Sequence, residues 1–253
     1  NVVNPWDMIE KYGVDTLRWY FYTLNHPWDS KLFAEKDLQQ TMRKFILTLW
    51  NSFAFYQTYA GKKSEIRNPK SETRNVLDQW ITSRLHSVIK EATKKFDAYD
   101  ITGSARTIES FVIDDLSLWY IRRSRQRFQN PANKKELQDA SSVLRYVLLE
   151  TSKLAAPCIP FLSEHIYGEL GRKGSVHWED WAKVDARKID TKLEKEMVWI
   201  RELVAKGLAE RAKAGIKVRQ PLQKFKVKSE KLKVTSELLA LVKDELNVKE
   251  IVI

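Results

Sequence analysis

Apolar residues recur at three- and four-residue steps through most of this chain, which is the spacing of one face of an α-helix. The pattern predicts two short helices at the start, and Asn4 is expected to cap the first of them, with Pro5 in its first turn. Gly13 should end that helix, and the second should span 14–24. Longer or later helices are predicted over the following ranges: 38–60, 77–96, 104–129, 137–154 and 161–170.

Polar and proline-containing stretches separate the predicted helices. The segment 62–71 is polar and carries Pro69, so it is expected to be a loop. The helix predicted over 104–129 should stop at Asn130-Pro131. Long amphipathic helices joined by short polar turns can bury their apolar faces only against each other. The sequence therefore predicts a mainly α fold, an antiparallel helical bundle whose regularly spaced aromatic side chains form the core.

The pattern changes after residue 181. A long, highly charged helix is predicted over 193–214, and Phe225-Lys226-Val227-Lys228 alternates like a half-exposed strand. A helix over 236–246 and a second strand over 248–253 follow. This strand–helix–strand order predicts a small α/β appendage that is incomplete in this chain. We expect three parts with the following bounds: 1–30, 31–185 and 186–253.

Composition limits the kinds of partner that this chain can have. It has 253 residues, a net charge of +11 and a pI near 9.5, which favours a polyanionic partner. No apolar run approaches the ~20 residues that span a bilayer, and no signal peptide opens the chain, so we expect a cytoplasmic protein without a membrane partner. Cys158 is the only cysteine and the four histidines are scattered, so no metal site is expected.

Positive charge is most concentrated in the arginine segment, which runs from Trp119 to Phe128. It contains Arg122, Arg123, Arg125 and Arg127 on a predicted helix. At ~100° per residue, Arg122 and Arg125 share one face, and Arg123 and Arg127 share another. Closely spaced guanidinium groups repel one another unless an anion lies opposite, and phosphate oxygens match their planar geometry.

An alternative explanation for these arginines is neutralisation inside the fold. Asp114 and Asp115 lie about two helical turns earlier, where they can pair with Arg122 and with Arg123. Arg125 and Arg127 are further from those acids along the helix and are expected to face the anionic partner. On this reasoning, replacing Arg127 should weaken binding with little loss of stability, and replacing Arg122 should do the reverse.

A second basic region lies between residues 201 and 228. Only Glu202 and Glu210 oppose its positive charges, and Lys213, Lys217 and Arg219 are the phosphate-binding candidates there. The alternative is an ordinary solvated helix followed by an edge strand kept soluble by lysine. The basic residues are these: Arg201, Lys206, Arg211, Lys213, Lys217, Arg219, Lys224, Lys226 and Lys228.

Several segments, taken in order, resemble the C-terminal region of isoleucyl-tRNA synthetase, a class I aminoacyl-tRNA synthetase of the Ile/Val/Leu branch. The first is similar to the stretch after the Lys-Met-Ser-Lys-Ser loop, and the second to the Gly-Ala-Asp-Ala-Leu-Arg segment, with Val14 and Thr16 in place of the alanines. The similar segments are 1–7, 13–20, 119–128, 175–181 and 214–222.

This resemblance implies that the bundle binds the anticodon stem-loop of an isoleucine-specific tRNA, with Trp119 and the basic candidates at the interface. The first thirty residues would contact the tRNA stem and link the bundle to the catalytic domain. The family's two ATP-holding motifs are absent from this sequence, which suggests a fragment that needs no cofactor. The full enzyme would use ATP, and its catalytic and editing domains would be partners within the same longer chain. The fragment alone is expected to be inactive.

Other interpretations stay open from sequence alone. The chain could be a free-standing basic helical module, either a general RNA binder or a protein scaffold. It could also come from a valyl- or leucyl-tRNA synthetase. Asp15 and Arg18, one turn apart, are expected to form a local ion pair.

Overall fold

The computed structural model describes residues 3–26, 28–30, 32–60, 75–227 and 235–252. The loop predicted over 62–71 lies outside these residues. The chain divides into two compact units, 1–189 and 190–253, close to the boundary predicted at 185/186. The predicted separation of residues 1–30 from the bundle stays a prediction.

The first unit is built almost entirely from helices, which confirms the mainly α prediction. Its α-helices are α1 (Pro5–Tyr12), α2 (Val14–Leu24), α3 (Glu35–Thr41), α4 (Leu47–Ala60), α5 (Val76–Asp97), α6 (Ile101–Ser110), α7 (Arg122–Gln129), α8 (Lys134–Ala155) and α9 (Pro160–Glu169). π-Helical segments join α3 to α4 (Met42–Ile46) and α6 to α7 (Phe111–Ile121). Short 3-10 turns occupy Val176–Trp178 and Ala186–Lys188.

The caps explain where several helices begin and end. The Asn4 side chain accepts a hydrogen bond from the Trp6 amide at 3.0 Å, and Gly13, with φ of 81°, ends α1, as predicted. The start predicted at residue 104 is wrong, because α6 begins at Ile101. The Asp100 carboxylate accepts from the Gly103 amide at 2.8 Å and caps the helix earlier than the apolar pattern indicated.

Helix α5 lies antiparallel to the continuous helical run from α6 to α7. Near one end of the pair, the Ser104 hydroxyl donates to the Ala92 carbonyl at 3.1 Å. In the middle, Arg84 pairs with Asp115 at 3.1 Å. Residue numbers therefore fall on one helix as they rise on the other, which is the arrangement predicted for the bundle.

Aromatic side chains fill the core of the first unit, as the sequence predicted. Trp19 of α2 stacks on Phe45 of the first π-helical segment, with ring centroids 3.8 Å apart, and both are fully buried. Trp80 of α5 and Tyr120 of the second π-helical segment are also buried. Large aromatic side chains contribute heavily to core energetics, so these contacts hold the bundle together.

Helix α2 binds the connection between α8 and α9 through two charged side chains. Arg18 donates to the carbonyl oxygens of Pro157 and Cys158 at 2.8 and 3.0 Å. Asp15 accepts from the Leu162 amide at 2.7 Å, in the first turn of α9. These side chains do not form the predicted local ion pair, because each reaches backbone groups that the neighbouring helix ends leave unsatisfied.

The second unit has the predicted strand–helix–strand order, preceded by a long helix. Strands β1 and β2 pair in parallel, with Leu222 opposite Val248 and Phe225 opposite Ile251. The first strand starts at residue 222, three residues earlier than predicted. The elements are α10 (Thr191–Lys213), β1 (Leu222–Lys226), α11 (Ser236–Leu246) and β2 (Val248–Val252).

Candidate nucleic-acid interface

Arg127 is a buried structural residue, so the prediction that it faces outward is wrong. Its two terminal nitrogens donate to the two carboxylate oxygens of Asp78 on α5, each at 2.7 Å. The residue is only 9% exposed, and Asp78 is fully buried. The acids on the helix of Arg127 do not reveal this partner, because Asp78 lies 49 residues earlier on a neighbouring helix.

Further contacts make this ion pair the centre of a buried polar network. The Tyr120 hydroxyl donates to Asp78 at 2.8 Å, and Glu136 of α8 lies 3.8 Å from Nε of Arg127. Burial alone would lower the pKa of Arg127, but the hydrogen bonds and the charge of Asp78 raise it above its usual value. Arg127 is therefore held in its charged form and links α5, α7 and α8.

The opposite face of α7 carries the arginines that reach solvent. Arg122 and Arg125 are both exposed, and their spacing of three residues within α7 places them on the same side of an α-helix. Arg123 is half-buried, and its guanidinium carbon lies 4.7 Å from the centre of the Trp119 ring. This is a cation–π contact within the protein.

The candidate role of Trp119 in binding requires an exposed ring that can stack on a base, but this ring is buried. It is only 6% exposed, and Arg123 lies over its ring. Trp119 falls in the π-helical segment, which has i→i+5 hydrogen bonds and so turns less per residue than an α-helix. An assignment of faces that assumes regular α-helical geometry therefore does not apply across this segment.

The acids that precede the arginine segment have partners that the sequence reasoning missed. Asp115 pairs with Arg84 of α5 at 3.1 Å, and Asp114 accepts from the Ser110 hydroxyl at 2.9 Å. Arg84 carried no sequence signal for this role, because it lies on a different helix. The expected pairing of Arg122 and Arg123 with these acids stays a prediction.

In the second unit, the three sequence candidates are all exposed. Lys213, in the last turn of α10, pairs with Glu210 at 2.8 Å, and this hydrogen bond raises the pKa of the lysine. Lys217 and Arg219 lie in the connection between α10 and β1. These residues belong to the second unit, whereas the arginine face of α7 belongs to the first.

Arg211 holds the main chain of the connection between α10 and β1, a role that the sequence did not single out. It is only 5% exposed, and one terminal nitrogen donates to the carbonyl oxygens of Lys217, Val218 and Gln220. An arginine in the last helical turn followed by glycine is a recognisable signal, because such side chains bind free carbonyls near helix ends. The basic pattern of 201–228 concealed it among exposed lysines.

None of the helices in the described ranges is both long and apolar enough to cross a bilayer. The compartment in which the protein works stays a prediction.

Comparison with known families identifies the class of protein to which this fold belongs. The family described as the anticodon-binding domain of tRNA ligase matches residues 78–226, which include α5 to α10 and β1. The chain therefore belongs to the family of anticodon-binding domains of tRNA ligases. Over nearly its whole length, the chain is similar to one kind of these enzymes, the isoleucine–tRNA ligases.

The relatives come from both bacteria and an archaeon. Isoleucine–tRNA ligase of Clostridium tetani is 39% identical over 100% of this chain and 25% of its own length. The enzymes of Thermus thermophilus and Methanopyrus kandleri are 37% and 36% identical over 99% of this chain, and over 25% and 24% of their own lengths. These identities over nearly the whole chain confirm the resemblance to isoleucyl-tRNA synthetase. The chain spans about a quarter of the length of each of these relatives.

A solved structure shows the same fold. It is the agnB2 LeuRS of Agrobacterium radiobacter K84 in a ternary complex with tRNA and LeuAMS. It superposes with a TM-score of 0.57 at 17% identity, covering 75% of this chain and 22% of that protein.

Proposed function

We propose that this chain binds the anticodon arm of an isoleucine-specific tRNA, as part of a ligase that attaches isoleucine to that tRNA using ATP. The match of the whole chain to isoleucine–tRNA ligases is the observation that supports this most strongly. In this proposal, the catalytic and editing domains belong to the same longer protein and act in the cytoplasm. The fragment itself needs no cofactor, because ATP is bound by the catalytic domain.

The exposed arginines on α7 are suited to this role. Arg122 and Arg125 lie on one face of a helix that the Asp78–Arg127 pair fixes to the bundle. Guanidinium groups bind phosphate oxygens through paired hydrogen bonds, and such contacts set the position of an RNA. Sequence-specific reading of RNA uses unpaired loop bases, so the anticodon loop is the part that the fixed arginine face would orient.

A filter-binding titration tests the proposal directly. The purified chain is titrated with isoleucine tRNA, with the same tRNA carrying a changed anticodon, and with a non-cognate tRNA, at several salt concentrations. We expect the isoleucine tRNA to bind most tightly. With three to six phosphate contacts, log K should fall against log salt with a slope of about −2 to −5, from roughly −0.7 to −0.9 per contact.

Variants then test the surface itself. Arg125→Ala should weaken binding about 5- to 30-fold, which corresponds to about 1–2 kcal/mol for a charge-assisted hydrogen bond. Arg187→Ala is the matched control, because it removes one exposed arginine that already pairs with Asp185 in the same unit. It should bind as the wild type does.

Other outcomes have definite meanings. Equal binding of all three tRNAs contradicts the isoleucine specificity and indicates a general RNA-binding module. Absence of tRNA binding at low salt refutes the proposal and leaves a protein scaffold as the better explanation.

A further inference from the structure

The connection between α10 and β1 forms a defined structure, which we call the basic loop (residues 214–221). Helix α10 ends at Lys213, and Gly215, two residues later, has φ of 68°. The Ile216 amide donates to the Arg211 carbonyl at 2.9 Å, and the Gly215 amide donates to the Ala212 carbonyl at 3.1 Å. This is a left-handed helix end that favours glycine, and it sets the direction in which the loop leaves the helix.

The main chain of the basic loop folds around the side chain of Arg211. One terminal nitrogen of Arg211 donates to the Lys217 carbonyl at 2.7 Å and to the Val218 carbonyl at 3.3 Å, and it also binds the carbonyl of Gln220. The Asn247 side chain donates to the Val218 carbonyl at 3.0 Å from the other side. The loop carbonyls are therefore engaged by the protein, while the side chains of Lys217 and Arg219 are exposed.

The Arg211 side chain is bound to main-chain carbonyls rather than to an acid. Among the described residues, no acid forms an ion pair with Arg211, and its Nε and Nη1 atoms are buried without a hydrogen-bond partner. Burying a charge without an opposite charge is costly, although the C-terminal end of α10 favours a cation. The buried guanidinium therefore holds the main chain of the loop, and Lys217 and Arg219 are the exposed cations of the loop that an anionic partner can reach.

We propose that Arg211 is the positioning residue of an RNA-binding loop, in which Lys217 and Arg219 contact the phosphate backbone. This proposal rests on the proposed tRNA-binding function and adds a second contact site to it. Arg211 does not touch the RNA. It fixes the loop so that the two exposed cations are held in place before binding, which reduces the ordering that binding requires.

The salt dependence of tRNA binding measures this role separately from folding. Lys217→Ala/Arg219→Ala removes the two proposed contacts, so the slope of log K against log salt should become shallower by about 1.4–1.8. Arg211→Met should make the slope shallower by a similar amount, although the residue is buried. When Arg211→Met is added to the double variant, neither the slope nor the affinity should change further.

Two more variants keep the test decisive. Asn247→Gly removes one hydrogen bond from the loop and suits the left-handed backbone at this position, where φ is 46°. It should give an intermediate slope and serves where Arg211→Met fails to fold, which circular dichroism would show. Lys195→Ala is the control, because it removes one exposed lysine near the opposite end of α10. Its slope should equal that of the wild type.

The proposal is overturned if folded Arg211→Met and Asn247→Gly both keep the wild-type slope. It is also overturned if the effects of Arg211→Met and of the double variant simply add, since Arg211 would then act independently of the loop. These failures differ from failure of the proposed function. If Arg125→Ala weakens binding and the wild type shows steep salt dependence while the loop variants bind normally, only the role of the basic loop is refuted.

Discussion

Replacement of Arg127 tests the assignment of the arginine segment most directly. Arg127→Ala would remove the arginine that pairs with the fully buried Asp78, while the Tyr120 hydroxyl would still donate to this carboxylate. Two charge-assisted hydrogen bonds of 2.7 Å would be lost. Breaking a buried ion pair on one side typically costs about 3–5 kcal/mol, because the other charge remains buried without compensation.

The size of this loss makes it easy to measure. A domain has a total stability of about 5–15 kcal/mol, so Arg127→Ala should remove a large fraction of it. For a unit of this size, each kcal/mol changes Tm by roughly 2–4 °C, so a decrease of about 6–20 °C is expected. Differential scanning calorimetry on the whole chain, which resolves the two units if they melt separately, provides the measurement.

Two further variants show that the ion pair is the cause. Arg125→Ala, on the exposed face of the same helix, should change stability by no more than about 0.5 kcal/mol. The double variant Asp78→Asn/Arg127→Met removes both charges, and it should recover most of the stability lost in Arg127→Ala. A wild-type Tm for Arg127→Ala, or equal losses for Arg125→Ala and Arg127→Ala, would refute the assignment of these faces.

Three other predictions concern protonation and activity. His86 accepts from the Asp185 amide at 3.1 Å, and burial, with the nearby charge of Lys188, lowers its pKa to about 4. The stability that neutral His86 contributes is present above about pH 6.5 and is lost as the pH falls towards 4. In urea unfolding at a series of pH values, the free energy of unfolding of the wild type should therefore fall by roughly 2–3 kcal/mol more over this range than that of His86→Asn. Burial raises the pKa of Asp15, so its contribution is present below the unfolded pKa and lost as the pH rises; Asp15→Asn should gain stability relative to the wild type between acid and neutral pH in the same assay. The chain alone should show no isoleucine-dependent ATP–pyrophosphate exchange, and clear exchange would contradict its proposed dependence on a separate catalytic domain.

Local features of the fold could be predicted from the sequence because they depend on neighbouring residues. The Asn4 cap, the Gly13 end and the helix over 236–246 all follow from patterns that span a few positions. The strand–helix–strand order was likewise visible in the change of apolar period. The Asp100 cap was missed only because the apolar pattern gave a later start.

Contacts between distant residues could not be predicted in this way. Asp78 and Arg127 meet only because α5 and α7 are antiparallel neighbours, and nothing near Arg127 in sequence reveals this acid. The π-helical geometry of Phe111–Ile121 was also hidden, because its apolar residues are compatible with an α-helix. The exposed or buried state of each arginine therefore depended on packing, although their grouping by face followed from the local period.

The attachment of α2 to the start of α9 has a consequence for how the protein is made. Asp15 and Arg18 bind backbone groups that lie 147 and 140 residues later in the chain. At roughly 5–20 residues per second, a ribosome needs about 7–30 s to produce those partners. During that interval Leu17 and Tyr20 can already pack with Leu38, so the first helices can form a local apolar cluster well before Asp15 and Arg18 attach α2 to the later part of the bundle.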